Sequence, residues 1–446
     1  MLSSKVTVVL AALALGISGS SPSIRAQDKP TPAPQYVPPS CQGKPITIVP
    51  RAAMLAQTPT EVKPNPPITR TDQLKLFNTL ARIIDETYIY PDFNGQNWPG
   101  IVNEFRRKVE GGLETESFYA EMENFVKRLG DEHSYFESPV NAAASKAALA
   151  GVENYVGIGA LLKGLPEKKR VTILAVLPDS SAEHGGLQQH DSLLAVDGVP
   201  MVENGKVYQQ RTRGPACSAA VLTVQSPAQT PRQVTLVRFQ LAAQVPIYAR
   251  LVKTTGGARI GYIFLPSFFD VTLPDQVTKA LLDFGALDGL IIDNRMNTGG
   301  SSSVLMPILS YFASGTLGHF VSRTATRPLE ISANPINNSQ KVPLVILVSK
   351  ETVSYGEVFS GVLQDVGRAR IVGQRTAGHV ETLHGHNFPD GSRAWIAQER
   401  FDPINSHADW KRSGVKPDLE VFADWDTFTF DNDPAVAAAV KLFTHE

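Results

Sequence analysis

The stretch Val342-Pro343-Leu344-Val345-Ile346-Leu347-Val348, followed after a short turn by Ser354-Tyr355-Gly356-Glu357 and by Val358, Phe359, Val362, Leu363 and Val366, decides the fold. The apolar run reads as a strand, and the residues after Ser354 recur at helical spacing. Ser354 therefore stands where a strand turns into a helix. Such a turn holds a hydroxyl clear of the sheet, and the first free N–H groups of the helix can stabilise an oxyanion. Ser354 and Glu357 also spell Ser-x-x-Glu, in which the serine only satisfies orphan amides at a helix start.

Working outward, the same pattern repeats from Ala258 onward. Ile260-Gly261-Tyr262-Ile263-Phe264 is one strand. Gly289-Leu290-Ile291-Ile292-Asp293 is a second and runs through Asn294-Arg295-Met296-Asn297-Thr298 into Gly299-Gly300 and a helix near Ser301. Ala369-Arg370-Ile371-Val372-Gly373 is a further strand, leading to Thr376-Ala377-Gly378-His379. Strand and helix in alternation predict α/β layering over a mostly parallel sheet, with ligands gathered at the carboxyl ends of the strands. Three loops share that edge.

N-terminal to this core, Leu74, Phe77, Leu80, Ala81, Ile84 and Tyr88 recur at helical spacing, and a second helical pattern spans Phe118 to Leu129. Residues 71–150 are expected to form a small helical domain, ending in Gly130-Asp131-Glu132-His133-Ser134. Residues 151–242 change to short β-like runs such as Val171-Thr172-Ile173-Leu174-Ala175-Val176. Residues 1–26 carry Lys5, an apolar run from Val6 to Leu15 and small residues, the pattern of a removable secretion signal too short to span a bilayer. Residues 27–70 are rich in proline and cannot bury enough apolar surface to fold alone, which predicts an arm or linker.

The net charge of −1 and the lack of a basic block argue against nucleic acid and anionic lipid, and favour protein or peptide substrates. No stable membrane span is expected once the signal is removed. The two cysteines, Cys41 and Cys217, do not have metal-site spacing. Whether they pair is open at this level. His384, His386 and His407 enrich the C-terminal region without the spacing of a zinc site, so no metal and no cofactor is expected.

From about Asp72 to Phe443 the chain resembles the tail-specific, carboxy-terminal processing serine peptidases and their tricorn-like relatives. The ordered matches are Asp131-x-His133-Ser134, Leu290-Ile291-Ile292-Asp293-Asn294-Arg295 before Gly-Gly, and Ser354-x-x-Glu357 through Gln364-Asp365. Thr376-Ala377-Gly378 and Gly414-Val415-Lys416-Pro417-Asp418 complete them. The resemblance implies a ClpP/crotonase-like α/β core over 243–446. It also implies a PDZ-like domain over 151–242, whose loop Val156-Gly157-Ile158-Gly159 would receive a peptide's free C-terminus. The expected activity is that of a serine endopeptidase, periplasmic or secreted. Ser354 would be the nucleophile, and amides of Gly299 or Gly300 and of Tyr355 would form the oxyanion hole. The base is left between two residues. A lysine that follows Thr-x-Gly in Ser-Lys members is replaced by His379, so the base is either His133, as in tricorn-like members, or His379 itself. The tricorn-like pattern places a glutamate where this chain has Lys411, leaving Glu381 or Asp409 as the orienting acid. These departures keep a second expectation open, a peptide-binding protein whose catalytic pair has decayed.

Overall fold

The computed structural model describes residues 34, 36–48, 64–131, 133–149, 155–241, 247–254 and 256–444. The expected signal segment 1–26 lies outside the described residues. Six strands form the central sheet in the order Ala249–Val252, Ile260–Phe264, Gly289–Asp293, Leu344–Val348, Arg370–Gly373 and Leu419–Glu420. Only the first is antiparallel to its neighbour. Every residue of the strands Ile260–Phe264, Gly289–Asp293 and Leu344–Val348 is buried, which is why these segments read as continuous apolar runs rather than alternating ones.

Alternation along these strands sorts their side chains onto two cores. Ile263, Ile292, Ile346 and Ile371 meet the helices Leu273–Phe284, Ser302–Phe312 and Tyr355–Asp365. Tyr262, Ile291, Val345 and Val372 meet Trp425, Phe428 and the helix Pro434–Thr444 on the other face. This is the layered α/β arrangement that the strand-helix alternation predicts.

A second, antiparallel sheet was not legible in the sequence. Its order is Thr326–Ile331, Gly315–Val321, Arg393–Pro403 and Tyr135–Glu137, with Thr382–Asn387 also paired to Arg393–Pro403. The pairing Tyr135↔Trp395 and Phe136↔Ala394 ties the N-terminal region to the C-terminal one. The helices Arg70–Thr87, Trp98–Glu110 and Thr115–Lys127 pack Phe77, Leu80, Trp98, Phe105 and Phe125 into one cluster. Ala394, Ile396 and Ala397 belong to that same cluster, so the helical region shares its core with the long strand.

Residues 155–241 hold a β-rich unit with its own core around Val171, Ile173, Leu193, Ala220 and Leu222. Ala160–Leu165 is the terminal strand of its sheet. Part of the proline-rich arm is docked on this unit: Thr47–Ile48 pairs in parallel with Ser218–Ala219, and Cys41 is bonded to Cys217 with 5.4 Å between Cα atoms. The open question of the two cysteines is answered by that bond, which holds a segment that lacks enough apolar surface to stay down alone. Among the described residues, no helix is long and apolar enough to cross a membrane.

Candidate active site

Ser354 precedes the helix Tyr355–Asp365 with φ 56° and ψ −125°, a conformation rarely taken by a residue with a side chain. Strain of this kind costs roughly 1–3 kcal/mol and persists only where the surroundings enforce it. Here the surroundings are the Asn294–Gly300 loop. The Val353 N–H donates to the Asn297 carbonyl at 2.9 Å, and Thr352 Oγ1 donates to the Asn294 carbonyl at 2.9 Å. Asn294 Nδ2 in turn donates to the Gly356 carbonyl at 2.7 Å and to Ser360 Oγ at 2.8 Å.

The loop itself is anchored below by Arg295, fully enclosed between Asp293 and Asp433. Its Nη2 lies 2.5 Å from each carboxylate. Burial disfavours the guanidinium charge, and the two carboxylates more than offset this, so its pKa is raised well above the ordinary value.

Gly299 faces the serine directly. Its φ is +83°, and a Cβ placed on it would stand 2.7 Å from Ser354 Cβ, 3.0 Å from Ser354 Oγ and 3.2 Å from the Tyr355 nitrogen. The Gly299 N–H is committed to Asn297 Oδ1 at 2.8 Å. Of the two glycine amides, that leaves Gly300's, which has no backbone acceptor among the described residues. The Tyr355 N–H opens the helix and therefore lacks an intrahelical acceptor. A hydroxyl on a strained turn, beside the free amide that opens the helix and against the Gly299–Gly300 turn, can attack a carbonyl whose oxygen is then stabilised by nearby N–H groups.

Glu357 carries more than the helix cap that its spacing suggests. Fully buried, it accepts from Ser354 N at 3.2 Å, Thr376 Oγ1 at 2.5 Å, Gly378 N at 2.6 Å and His379 N at 2.8 Å. Burial pushes its carboxyl above the ordinary value, and these hydrogen bonds only partly offset the shift. The carboxylate thereby fixes the Thr376–His379 loop against the Ser354 turn.

His133 reaches this place through the pairing of Tyr135–Glu137 with the long strand. Asp131 Oδ1 accepts from the N–H groups of His133 at 3.0 Å and Ser134 at 2.8 Å, and Ser134 Oγ accepts from Ala397 N at 3.0 Å. The ring centroids of His133 and His379 are 6.0 Å apart. His133 Nδ1 lies 3.6 Å from Glu381 Oε2, and both atoms are buried without a closer hydrogen-bond partner. Burial raises the Glu381 carboxyl, but the His133 contact and the charge of Lys411 outweigh it, and the group ends below the usual carboxylate range.

A cluster of successive contacts thus links Ser354, Tyr355, Gly299 and Gly300 through Glu357 to His379, then His379 to His133 and His133 to Glu381. Asp409 is exposed, accepts from Arg412 N at 3.4 Å and caps the short helix Trp410–Ser413. Val156 and Gly157 pair with Gln240 and Phe239, while Ile158 is buried in the core of the β-rich unit. The Gly159 carbonyl accepts from Leu177 N at 2.9 Å. The other histidines named from the C-terminal region have separate partners, His384 on Glu399, His386 on Gln398 and His407 on Asp402.

Residues 259–421 match the family model described as peptidase family S41. The carboxyl-terminal-processing protease of Synechocystis sp. is 29% identical over 383 residues, covering 84% of this chain and 87% of that protein. The chloroplastic carboxyl-terminal-processing peptidase 2 of Arabidopsis thaliana is 27% identical over 363 residues, covering 78% and 68%. Among solved structures, a photosystem II D1 C-terminal processing protease superposes with a TM-score of 0.57 at 24% identity, covering 78% of this chain and 93% of that one. A putative S41 protease from Bacteroides fragilis superposes with a TM-score of 0.55 at 16% identity, covering 82% and 97%. The solved structures show a shared fold.

Proposed function

Because the chain belongs to peptidase family S41 and is a serine-type hydrolase, we propose that it cleaves peptide bonds through an acyl-enzyme on Ser354, with His133 as base and Glu381 as the acid that orients it. Ser354 Oγ attacks the scissile carbonyl while His133 Nε2 takes its proton. The oxyanion is received by the N–H groups of Tyr355 and Gly300, and the proton then passes from His133 to the leaving amine. Water hydrolyses the ester by the same route. The observation that carries this reading is the approach of His133 Nδ1 to Glu381 Oε2, 3.6 Å, inside the cluster that also holds the strained serine. Donation from Nδ1–H to a carboxylate leaves Nε2 unprotonated, as a base requires.

Residues 151–242 act in this proposal as a PDZ-like module that recruits substrate tails near Val156-Gly157-Ile158-Gly159. Supporting it, the adjacent strand Ala160–Leu165 ends its sheet, and a sheet edge is where an extended peptide can add as a strand. The Cys41–Cys217 bond supports an oxidising, extracytoplasmic location. The direct test is hydrolysis of an unfolded protein, followed by mass spectrometry. Wild type is expected to release fragments and Ser354→Ala none. Equal hydrolysis by both rules out Ser354 as nucleophile, and no hydrolysis by folded wild type favours the peptide-binding alternative.

A further inference from the structure

The two oxygens of Glu381 keep different company. Oε1 accepts from the Tyr90 hydroxyl at 2.9 Å and faces Lys411 Nζ at 3.5 Å. Oε2 faces His133 and has no hydrogen-bond partner at ordinary distance. Lys411 is itself located by further contacts, since its Nζ donates to Asn94 Oδ1 at 3.3 Å and lies 3.3 Å from the centroid of the Tyr90 ring. Tyr90 and Asn94 follow the helix Arg70–Thr87, whereas Lys411 belongs to Trp410–Ser413. Segments from both ends of the chain converge on one carboxylate.

We propose that Tyr90 and Lys411 are positioning residues of the reaction, which engage one oxygen of Glu381 so that the carboxylate stays ionised and presents the other to His133. The inference rests on the Ser354, His133 and Glu381 roles given above. A carboxylate 2% exposed is costly to keep charged without a compensating cation, and Lys411 supplies one. An ion pair alone has little directional preference, so a carboxylate held only by Lys411 could still turn about its terminal bond. The Tyr90 hydroxyl on Oε1 restricts that rotation. Burial first and the Glu381 charge second push the Tyr90 phenol far above its ordinary value, so it stays a donor throughout the working range. In the sequence Lys411 stands where an acid was expected. In space it is the counter-charge of the acid that replaces it.

Other titratable groups face the pair. They are His379 beside His133, Tyr88 with Asp131 behind, and Asp409 toward Tyr90. Removing Lys411 takes a positive charge from beside Glu381, and where the Tyr90 hydrogen bond still keeps the carboxylate ionised, less of its negative charge is offset before it reaches the imidazole, so the acid limb of the rate profile moves upward.

The test uses the full chain carrying Lys411→Met, Lys411→Arg, Tyr90→Phe or Glu381→Gln. The second-order rate of Ser354 labelling by a fluorophosphonate is measured from about pH 5 to pH 9, normalised to the folded fraction from thermal melts. Lys411→Met is expected to slow labelling about tenfold and to move the acid limb of the profile upward by roughly half a unit or more. Tyr90→Phe should act in the same direction but less, and Lys411→Arg should restore most of the rate. The proposal is overturned if folded Lys411→Met and Tyr90→Phe keep the wild-type rate and limb while Glu381→Gln loses them. It is equally overturned if their rates fall with an unmoved limb, which is the behaviour of a merely structural contact. If Glu381→Gln itself behaves as wild type, the role of Glu381 fails and this inference with it.

Discussion

His133 Nδ1 and Glu381 Oε2 stand 3.6 Å apart, slightly beyond hydrogen-bond reach, and neither has another partner at ordinary distance. Two buried polar atoms left this way are costly unless they meet, and catalytic contacts commonly tighten when substrate binds. Both imidazoles lie in the cluster, and His133 has the buried Glu381 carboxylate beside its Nδ1. Replacing His133 by Ala should lower kcat/KM about a hundredfold to ten-thousandfold, and replacing His379 by Ala less than about tenfold. Parallel steady-state assays decide it; the reverse order of losses would make His379 the base.

Gly299→Ala should abolish most activity with little loss of fold. The added methyl would meet Ser354 Cβ at 2.7 Å and approach the Tyr355 nitrogen at 3.2 Å, at a φ of +83° that disfavours a side chain. Obstructing an oxyanion site costs about a hundredfold to a thousandfold in rate. The check is kcat beside a circular dichroism spectrum, and a variant that turns over like wild type would remove Gly299 from the site.

Much of this site was legible because its parts lie on locally patterned chain. The Ser354 turn follows a continuous apolar strand, and the paired glycines follow another, so their shared sheet edge could be inferred from order alone. The choice between Glu381 and Asp409 was not legible. Both sit near motifs, and only the pairing of Tyr135–Glu137 with the strand Arg393–Pro403 brings His133 to the former. Tyr90 gave no signal, because a tyrosine shortly after an amphipathic helix reads as part of that helix's packing. The antiparallel sheet was missed because most of its strands are half-exposed or interrupted, with burial that does not alternate cleanly.

Stability should fall as pH drops from about 6.5 toward 3, in part through His190, which joins the β-rich unit to the core. It is 2% exposed, with Nδ1 2.8 Å from the Trp425 carbonyl. Burial first, and the Arg295 charge second, hold its pKa down to about 3. Between that value and the unfolded one, the unfolded chain binds a proton that the folded chain does not, so acid favours unfolding. Thermal midpoints across this window should decline more steeply in wild type than in His190→Phe. Identical slopes would show that His190 does not contribute.

Reducing the Cys41–Cys217 bond should destabilise the β-rich unit and release the docked arm. The bond joins positions 176 residues apart, and removing such a link commonly costs about 2–4 kcal/mol. Differential scanning calorimetry of Cys41→Ser, with limited proteolysis of residues 36–48, measures both effects. An unchanged melt and a protected arm would mean that the strand Thr47–Ile48 holds without the covalent link.

The most direct measurement is peptide mapping after reaction with a fluorophosphonate. The account predicts a single phosphoryl adduct, on Ser354, forming on wild type and slowed by orders of magnitude in His133→Ala. An adduct on a different residue, or none on a fully folded sample, would contradict it.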